Sequence, residues 1–236
     1  MVCFDDLRGR FFVVAHRGAS AYRPENTLSA FKLALDFGVD AVEMDVRVTA
    51  DGKAIIMHDE TVDRTTNGRG RVVDLTWDYI RGLKVGLDEK VPLLSEALDL
   101  VGGKCIVFLE LKVDEAVEPA VREVDARGLW DSVLFTSFEA RHLTKVLEYN
   151  RRANVGLIYI KPVDGILGAK KIGAKIALPY HRLATAKAIE FAHKLKLMIA
   201  AWTVDDYETA LELKNRGIDG IVSNKPDVIM KLKEQQ

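Results

Sequence analysis

The run Val42-Glu43-Met44-Asp45-Val46 places two carboxylates two positions apart inside an otherwise apolar stretch that ends at Val48. Successive side chains of a strand point to opposite faces, so Glu43 and Asp45 share one face while Val42, Met44 and Val46 share the other. Two acids side by side in a buried strand repel each other unless a cation, a proton or basic partners compensate them. At a strand edge such a pair would simply face water. Here it has company: His16 lies on the strand before, His58 follows shortly after, and Glu110-Leu111-Lys112 lies on the next main apolar run.

Working outward, Phe11 to Ala15 is a short β-branched run that delivers His16-Arg17-Gly18 at its C-terminal end. Pro24-Glu25-Asn26-Thr27 opens a helix with Asn26 or Thr27 as N-cap, and Gly38 stops it. Ala41 to Val48 is the second strand. Ala50-Asp51-Gly52 marks a tight turn, after which Ala54 to Met57 returns to present His58-Asp59. From Glu60 to Pro92 the pattern becomes turn-rich, with one short helix at Trp77-Asp78-Tyr79-Ile80. A long excursion of this kind is often functional.

Beyond it the alternation is regular. Helices are expected at Ser95 to Val101 (N-capped by Ser95), Asp114 to Arg127, Glu139 to Tyr149, Val163 to Lys170, Ala184 to Lys196, Asp206 to Arg216 and Pro226 to Lys233. Strands are expected at Cys105 to Leu111, Val133 to Thr136, Val155 to Tyr159, Lys175 to Leu178, Leu197 to Trp202 and Gly220 to Val222. Eight strands, each too apolar for exposure on either face, alternate with eight helices and predict an α/β fold, a (β/α)8 TIM barrel. An open doubly wound sheet is the alternative, and its dinucleotide-binding version is disfavoured because no G-x-G-x-x-G follows the first strand.

The 236 residues suffice for one barrel domain. A net charge of −1, without blocks of like charge, gives no nucleic-acid surface. The two cysteines, Cys3 and Cys105, have no metal-finger or disulfide spacing, which suits a reducing compartment. No signal-like N-terminus precedes Phe11, and no apolar run approaches the roughly 20 residues of a bilayer span. A cytoplasmic protein without stable membrane insertion is the expectation; no feature points to a particular oligomeric state.

In a parallel barrel the active site lies at the C-terminal ends of the strands. There the sequence puts His16, Arg17, Glu43, Asp45, His58, Glu110 and Lys112, followed by Tyr180-His181, Trp202 and Ser223-Asn224. Three carboxylates with no cysteine nearby are oxygen ligands for one hard divalent cation, Mg²⁺ or Ca²⁺, and two histidines leave zinc open. Arg17 adds a planar fork suited to a phosphate, and Lys112 a compact positive charge. Two imidazoles can act as base and acid near neutral pH.

These residues carry a resemblance. Ala15 to Thr27, with Glu43-x-Asp45, His58-Asp59, Glu110-x-Lys112 and Trp202-Thr203-Val204, closely resembles the glycerophosphodiester phosphodiesterases, from Val14 to Pro226. That family is similar in fold to the phosphatidylinositol-specific phospholipases C, a TIM barrel with a small insertion after the second strand, here 59–91. The resemblance implies metal-dependent hydrolysis of glycerophosphodiesters to glycerol 3-phosphate and an alcohol, with His16 and His58 as acid/base pair. It implies Glu43, Asp45 and Glu110 as metal ligands, Arg17 and Lys112 as catalytic and substrate-binding cations, and Trp202 on the glycerol or leaving-group side. Ser223-Asn224 departs from the Thr-Asp of many relatives, which puts any substrate preference tied to that corner in question.

Rival readings are a phospholipase D-like enzyme acting on lysophospholipids, which would need an apolar groove beside the site, and a catalytically silent phosphodiester-binding module. Glu25 can position Arg17 or favour the positive end of the following helix, and Asp114-Glu115 and Asp205-Asp206 read as helix-start acids. Asn26 reads as a cap, His142 and His193 as surface or packing residues and Trp77 and Trp130 as packing, while His181, which follows strand six, leaves a site role open.

Overall fold

The computed structural model describes residues 2–162 and 165–233. In chain order the elements are β1 (Phe12–Ala15), α1 (Leu28–Asp36), β2 (Ala41–Val48), β3 (Ala54–Ile56), α2 (Trp77–Ile80) and α3 (Leu94–Val101). Then come β4 (Ile106–Leu111), α4 (Val117–Ala126), β5 (Val133–Ser137), α5 (Ala140–Tyr149), β6 (Asn154–Tyr159) and α6 (Gly165–Lys171). The chain continues through β7 (Ile176–Pro179), α7 (Ala186–Lys194), β8 (Met198–Ala201), α8 (Tyr207–Asn215), β9 (Gly220–Ser223) and α9 (Pro226–Met230). Eight strands pair in parallel, and β1 bonds to both β2 and β9, which closes the sheet into the expected barrel. Among the strands of the described residues only β3 is antiparallel, folding back on β2 through the turn at Gly52.

Alternation along β2 divides the barrel into two apolar layers. Val42, Met44 and Val46 face outward into the layer shared with the helices, alongside Phe31 and Phe135. The inward layer is filled by Phe4, Leu7, Phe12, Phe108, Ile158, Leu178 and their neighbours. Phe4 and Phe12 each pack against Phe108, at 6.5 and 6.4 Å between ring centroids, so aromatic side chains occupy the axis near the N-terminal ends of the strands. Gly220 is required there, because a Cβ would stand 2.2 Å from the Phe12 ring. Glu43, Asp45 and Glu110 are the inward residues above this filling. The register sets Asp45 opposite Glu110.

The excursion after β3 gathers a third cluster around Ile55, Val62, Val72, Ile80 and Val91. Several expected element ends move. Thr27, not Asn26, caps α1 by accepting from the Ala30 N–H. Ser95 lies inside α3, whose first free N–H, on Leu93, is taken by the Glu96 carboxylate at 2.8 Å. The helix expected from Val163 begins at Gly165 within the described segment, Val163 lying outside it. The turn 114–116 is a 3-10 helix preceding α4. Among the described residues no helix is long and apolar enough to cross a membrane.

Candidate active site

The chain leaves β1 through a left-handed turn, Arg17 at φ 54° and Gly18 at φ 77°. Only glycine fits the second position, since a Cβ on Gly18 would lie 2.6 Å from the Ala30 carbonyl carbon. The turn aims the Arg17 backbone N–H at Glu43 Oε2, 2.8 Å away. It also sends the guanidinium to Glu25 Oε1 at 2.8 Å and within 3.3 Å of Asp45 Oδ2.

Glu43, Asp45 and Glu110 are all buried, and each offers an oxygen within 4.8 Å of the others. Burial, then repulsion from Asp45 and Glu110, raises the Glu43 carboxyl well above its usual range. Burial and Asp45 push Glu110 up to about 7. Asp45 goes the other way: burial opposes its charge, but Lys112 and Arg17 outweigh burial and hold it low. Glu43 Oε1 and Asp45 Oδ1 are buried without a hydrogen-bond partner. A set of oxygens with two orphaned acceptors and surplus negative charge fits a hard divalent cation. Asn26 fixes the middle ligand, donating from Nδ2 to Asp45 Oδ2 at 2.8 Å and accepting from the Asp45 N–H at 3.3 Å.

Each histidine is held through Nδ1, by different chemistry. His16 Nδ1 meets Asn224 Oδ1 at 2.7 Å. Asp205 takes both the Asn224 backbone N–H and its Nδ2, each at 2.7 Å, so the amide oxygen must face the imidazole. His16 Nδ1 therefore carries the proton. Burial, then the Arg17 charge, lowers its pKa to about 4. His58 Nδ1 instead donates to the Asp59 carboxylate at 2.7 Å. Burial lowers His58 as well, with Asp45 and Asp59 acting against it. Arg64 grips Asp59 at 2.6 Å and Glu25 at 2.7 Å, joining the partner of His58 to the partner of Arg17. Arg64 holds Asp59 far below the usual carboxylate range.

Lys112 Nζ lies 2.5 Å from Glu110 Oε1 and 3.5 Å from Asp45 Oδ1. Trp202 donates from Nε1 to Leu178 O at 2.8 Å and stands edge-on to Phe138 at 5.5 Å. A cavity of about 170 Å³ brings His16, Arg17, Glu43, His58, Glu110, Lys112 and Trp202 to one wall, over an apolar floor that includes Phe108, Ile158 and Val222. A larger cavity on the α4–α5 surface, about 390 Å³, contains none of these residues.

Residues 16–228 match the Glycerophosphoryl diester phosphodiesterase family. The chain belongs to that family. It is 33% identical over 234 residues to the glycerophosphodiester phosphodiesterase of Caldanaerobacter subterraneus subsp. tengcongensis, covering 93% of this chain and 96% of the relative. A Bacillus subtilis glycerophosphodiester phosphodiesterase is 30% identical over 255 residues, with 95% and 87% covered. Among solved structures, an Oleispira antarctica phosphodiesterase in complex with the product sn-glycerol-3-phosphate superposes with a TM-score of 0.89 at 25% identity, covering 94% of this chain and 96% of that one. A glycerophosphodiester phosphodiesterase from Agrobacterium tumefaciens gives 0.84 at 28% identity, with 94% and 99% covered.

Within this phosphodiesterase barrel, four residues have contacts that local sequence does not announce. Asn26 is a clasp on Asp45 rather than a cap. Asp206 caps α8, accepting from the Thr209 N–H at 2.8 Å, but its neighbour Asp205 turns inward to Asn224. Asn224, at the end of β9, is the partner of His16. Arg64 sits in the turn-rich excursion, where only the adjacency of Asp59 to His58 hints at a supporting contact. His142 is a packing residue: at 1% exposure it bonds Ser137 Oγ at 2.9 Å and faces Asp114 at 3.2 Å, which makes Asp114 a brace between β4 and α5 as well as a turn acid. His193 pairs with Asp219 at 2.9 Å, and His181 stays outside the cavity wall, its backbone N–H donating to Trp202 O.

Proposed function

We propose that this chain hydrolyses glycerophosphodiesters to glycerol 3-phosphate and an alcohol in the cavity lined by His16, His58, Glu43 and Glu110, with Asp45 completing the carboxylate cluster. The observation that carries the reading is the pair of imidazoles, each anchored at Nδ1 and each lining one cavity with Arg17, Lys112 and a carboxylate cluster suited to a divalent cation.

His16 is the better base. Its Nδ1–H is committed to Asn224, so Nε2 keeps a lone pair, and burial keeps the ring neutral through the physiological range. It would take the proton of the nucleophile, water or the glycerol 2-hydroxyl. His58 would protonate the leaving alkoxide from Nε2: burial lowers its pKa overall, and the Asp59 carboxylate at Nδ1 offsets part of that loss. Arg17 and Lys112 would balance charge building on the phosphoryl oxygens. Glu43, Asp45 and Glu110 would hold Mg²⁺ or Ca²⁺, which when bound supplies Lewis-acid polarisation of the phosphodiester. Trp202 and the apolar floor exclude water beside the glycerol unit. Two unpaired cysteines, Cys3 and Cys105, suit a reducing, cytoplasmic setting for this chemistry.

The test is a panel of glycerophosphodiesters and lysophospholipids assayed after chelation and re-addition of single metals, with products identified. Release of glycerol 3-phosphate, restored by Mg²⁺ or Ca²⁺, supports the reading. Binding without turnover, or attack confined to acylated substrates, sinks it.

A further inference from the structure

Two cations stand side by side where β2 and β4 end; among the described residues only Lys112 is in an ion pair, while Asp45, Glu60, Asp59 and Glu110 act on Arg47 from further off. Arg47 continues the inward row of Glu43 and Asp45 one step further toward the mouth. The Lys112 N–H donates to Val46 O at 3.2 Å, which brings Lys112 alongside it. Lys112 is taken up by Glu110 and Asp45. Arg47 is half-buried, and its Nε donates to the backbone oxygen of His58 at 2.9 Å. Among the described residues its guanidinium forms no ion pair.

Arg47 lines a groove of about 860 Å³ between the β2–β3 turn, the excursion and the start of α4. Three acids lie on its walls, Glu60, Glu115 and Glu118, and two of them are engaged, Glu60 by Arg71 and Glu118 by Arg122. Lys112 lines both this groove and the 170 Å³ cavity, which makes the groove the cavity's neighbour on the Lys112 side. The 170 Å³ cavity is the tighter of the two spaces. The open groove is the roomier path for a variable group.

We infer that the groove receives the alcohol moiety of the substrate and that Arg47 binds a carboxylate on it, as in a serine ester of glycerol phosphate. The inference rests on the hydrolase reading above and adds the class of head group. A guanidinium presents paired donors in one plane and matches a carboxylate in two-point contact. Nε holds the plane in place through His58 O, leaving the Nη edge for the ligand. A charge-assisted contact of this kind is worth about tenfold in selectivity.

Steady-state kcat/KM is to be measured for glycerophosphoserine and glycerophosphoethanolamine, which differ by that carboxylate alone, on the full chain and on Arg47→Gln and Arg47→Lys. The wild type should prefer the serine diester by about tenfold, Arg47→Gln should bring the ratio to about one, and Arg47→Lys should keep part of it. Turnover of the ethanolamine diester also reports that each variant is folded. A wild-type ratio near one, or an Arg47→Gln loss equal on both diesters, overturns the head-group assignment while leaving the hydrolase reading intact. Turnover of neither diester by the wild type overturns both.

Discussion

His16 and Asn224, separated by 208 positions in the chain, meet at 2.7 Å through Nδ1 and Oδ1. Asp205 clamps the amide from behind. Replacing Asn224 by Ala removes the acceptor that selects the tautomer, so kcat should fall by about ten- to a hundredfold with little change in KM. Steady-state kinetics check it. An Asn224→Ala enzyme with wild-type kcat would remove Asn224 from any part in orienting His16.

Neither histidine is part of an apolar layer, so His16→Ala and His58→Ala should keep the fold. Each should lower kcat by about 10²- to 10⁴-fold, the usual contribution of a positioned acid or base. Circular dichroism and turnover, measured on the same samples, separate folding from chemistry.

The pKa of His16 sets a limb of the stability profile. In the folded chain its imidazole stays neutral down to about 4, whereas an unfolded histidine takes up its proton near 6.5. Between those values the unfolded state binds the extra proton. This contribution to stability is present above about pH 6.5 and is lost as pH falls toward 4. Urea unfolding across that window should show a steeper acid loss for the wild type than for His16→Gln.

Glu110 has the opposite sign. With no cation bound it keeps its proton up to about 7, while an unfolded glutamate ionises near 4.5. The folded state then binds more protons, so its stabilisation is complete below about pH 4.5 and is lost as pH rises through 7. A divalent cation replaces the proton, and the Tm gained on adding Mg²⁺ or Ca²⁺ should grow between about pH 6 and about pH 8. Thermal shift in chelated and metal-supplied samples reads this. Glu110→Gln should erase most of the gain.

Asn26 gives a test separate from the acids themselves. Asn26→Ala frees Asp45 from both contacts, so the affinity for the activating cation should drop by about ten- to a hundredfold while turnover at saturating metal largely recovers. Activity titrated against free metal concentration decides it.

The barrel itself was legible because its signal is local and repeated: β-branched runs buried on both faces, each followed by a helical period. The row of Glu43 and Asp45 followed from strand geometry alone, and pairing with Glu110 needed only the next strand in register. The supporting contacts were not legible, because each joins residues whose nearness is created by closure. Asn26 looks like a cap beside Thr27 until β2 is docked against it. Asp205 and Asp206 are indistinguishable as helix-start acids until β9 comes to lie beside β8 and draws one inward. Arg64 reaches Glu25 across 39 positions, a distance that turn chemistry in the excursion does not encode.

Phe4, Phe12 and Phe108 occupy the barrel axis beneath the acids. A vessel corked at the bottom has one doorway, so arriving diester and departing products share a route. Whichever product lingers at the ionic wall bars the next substrate.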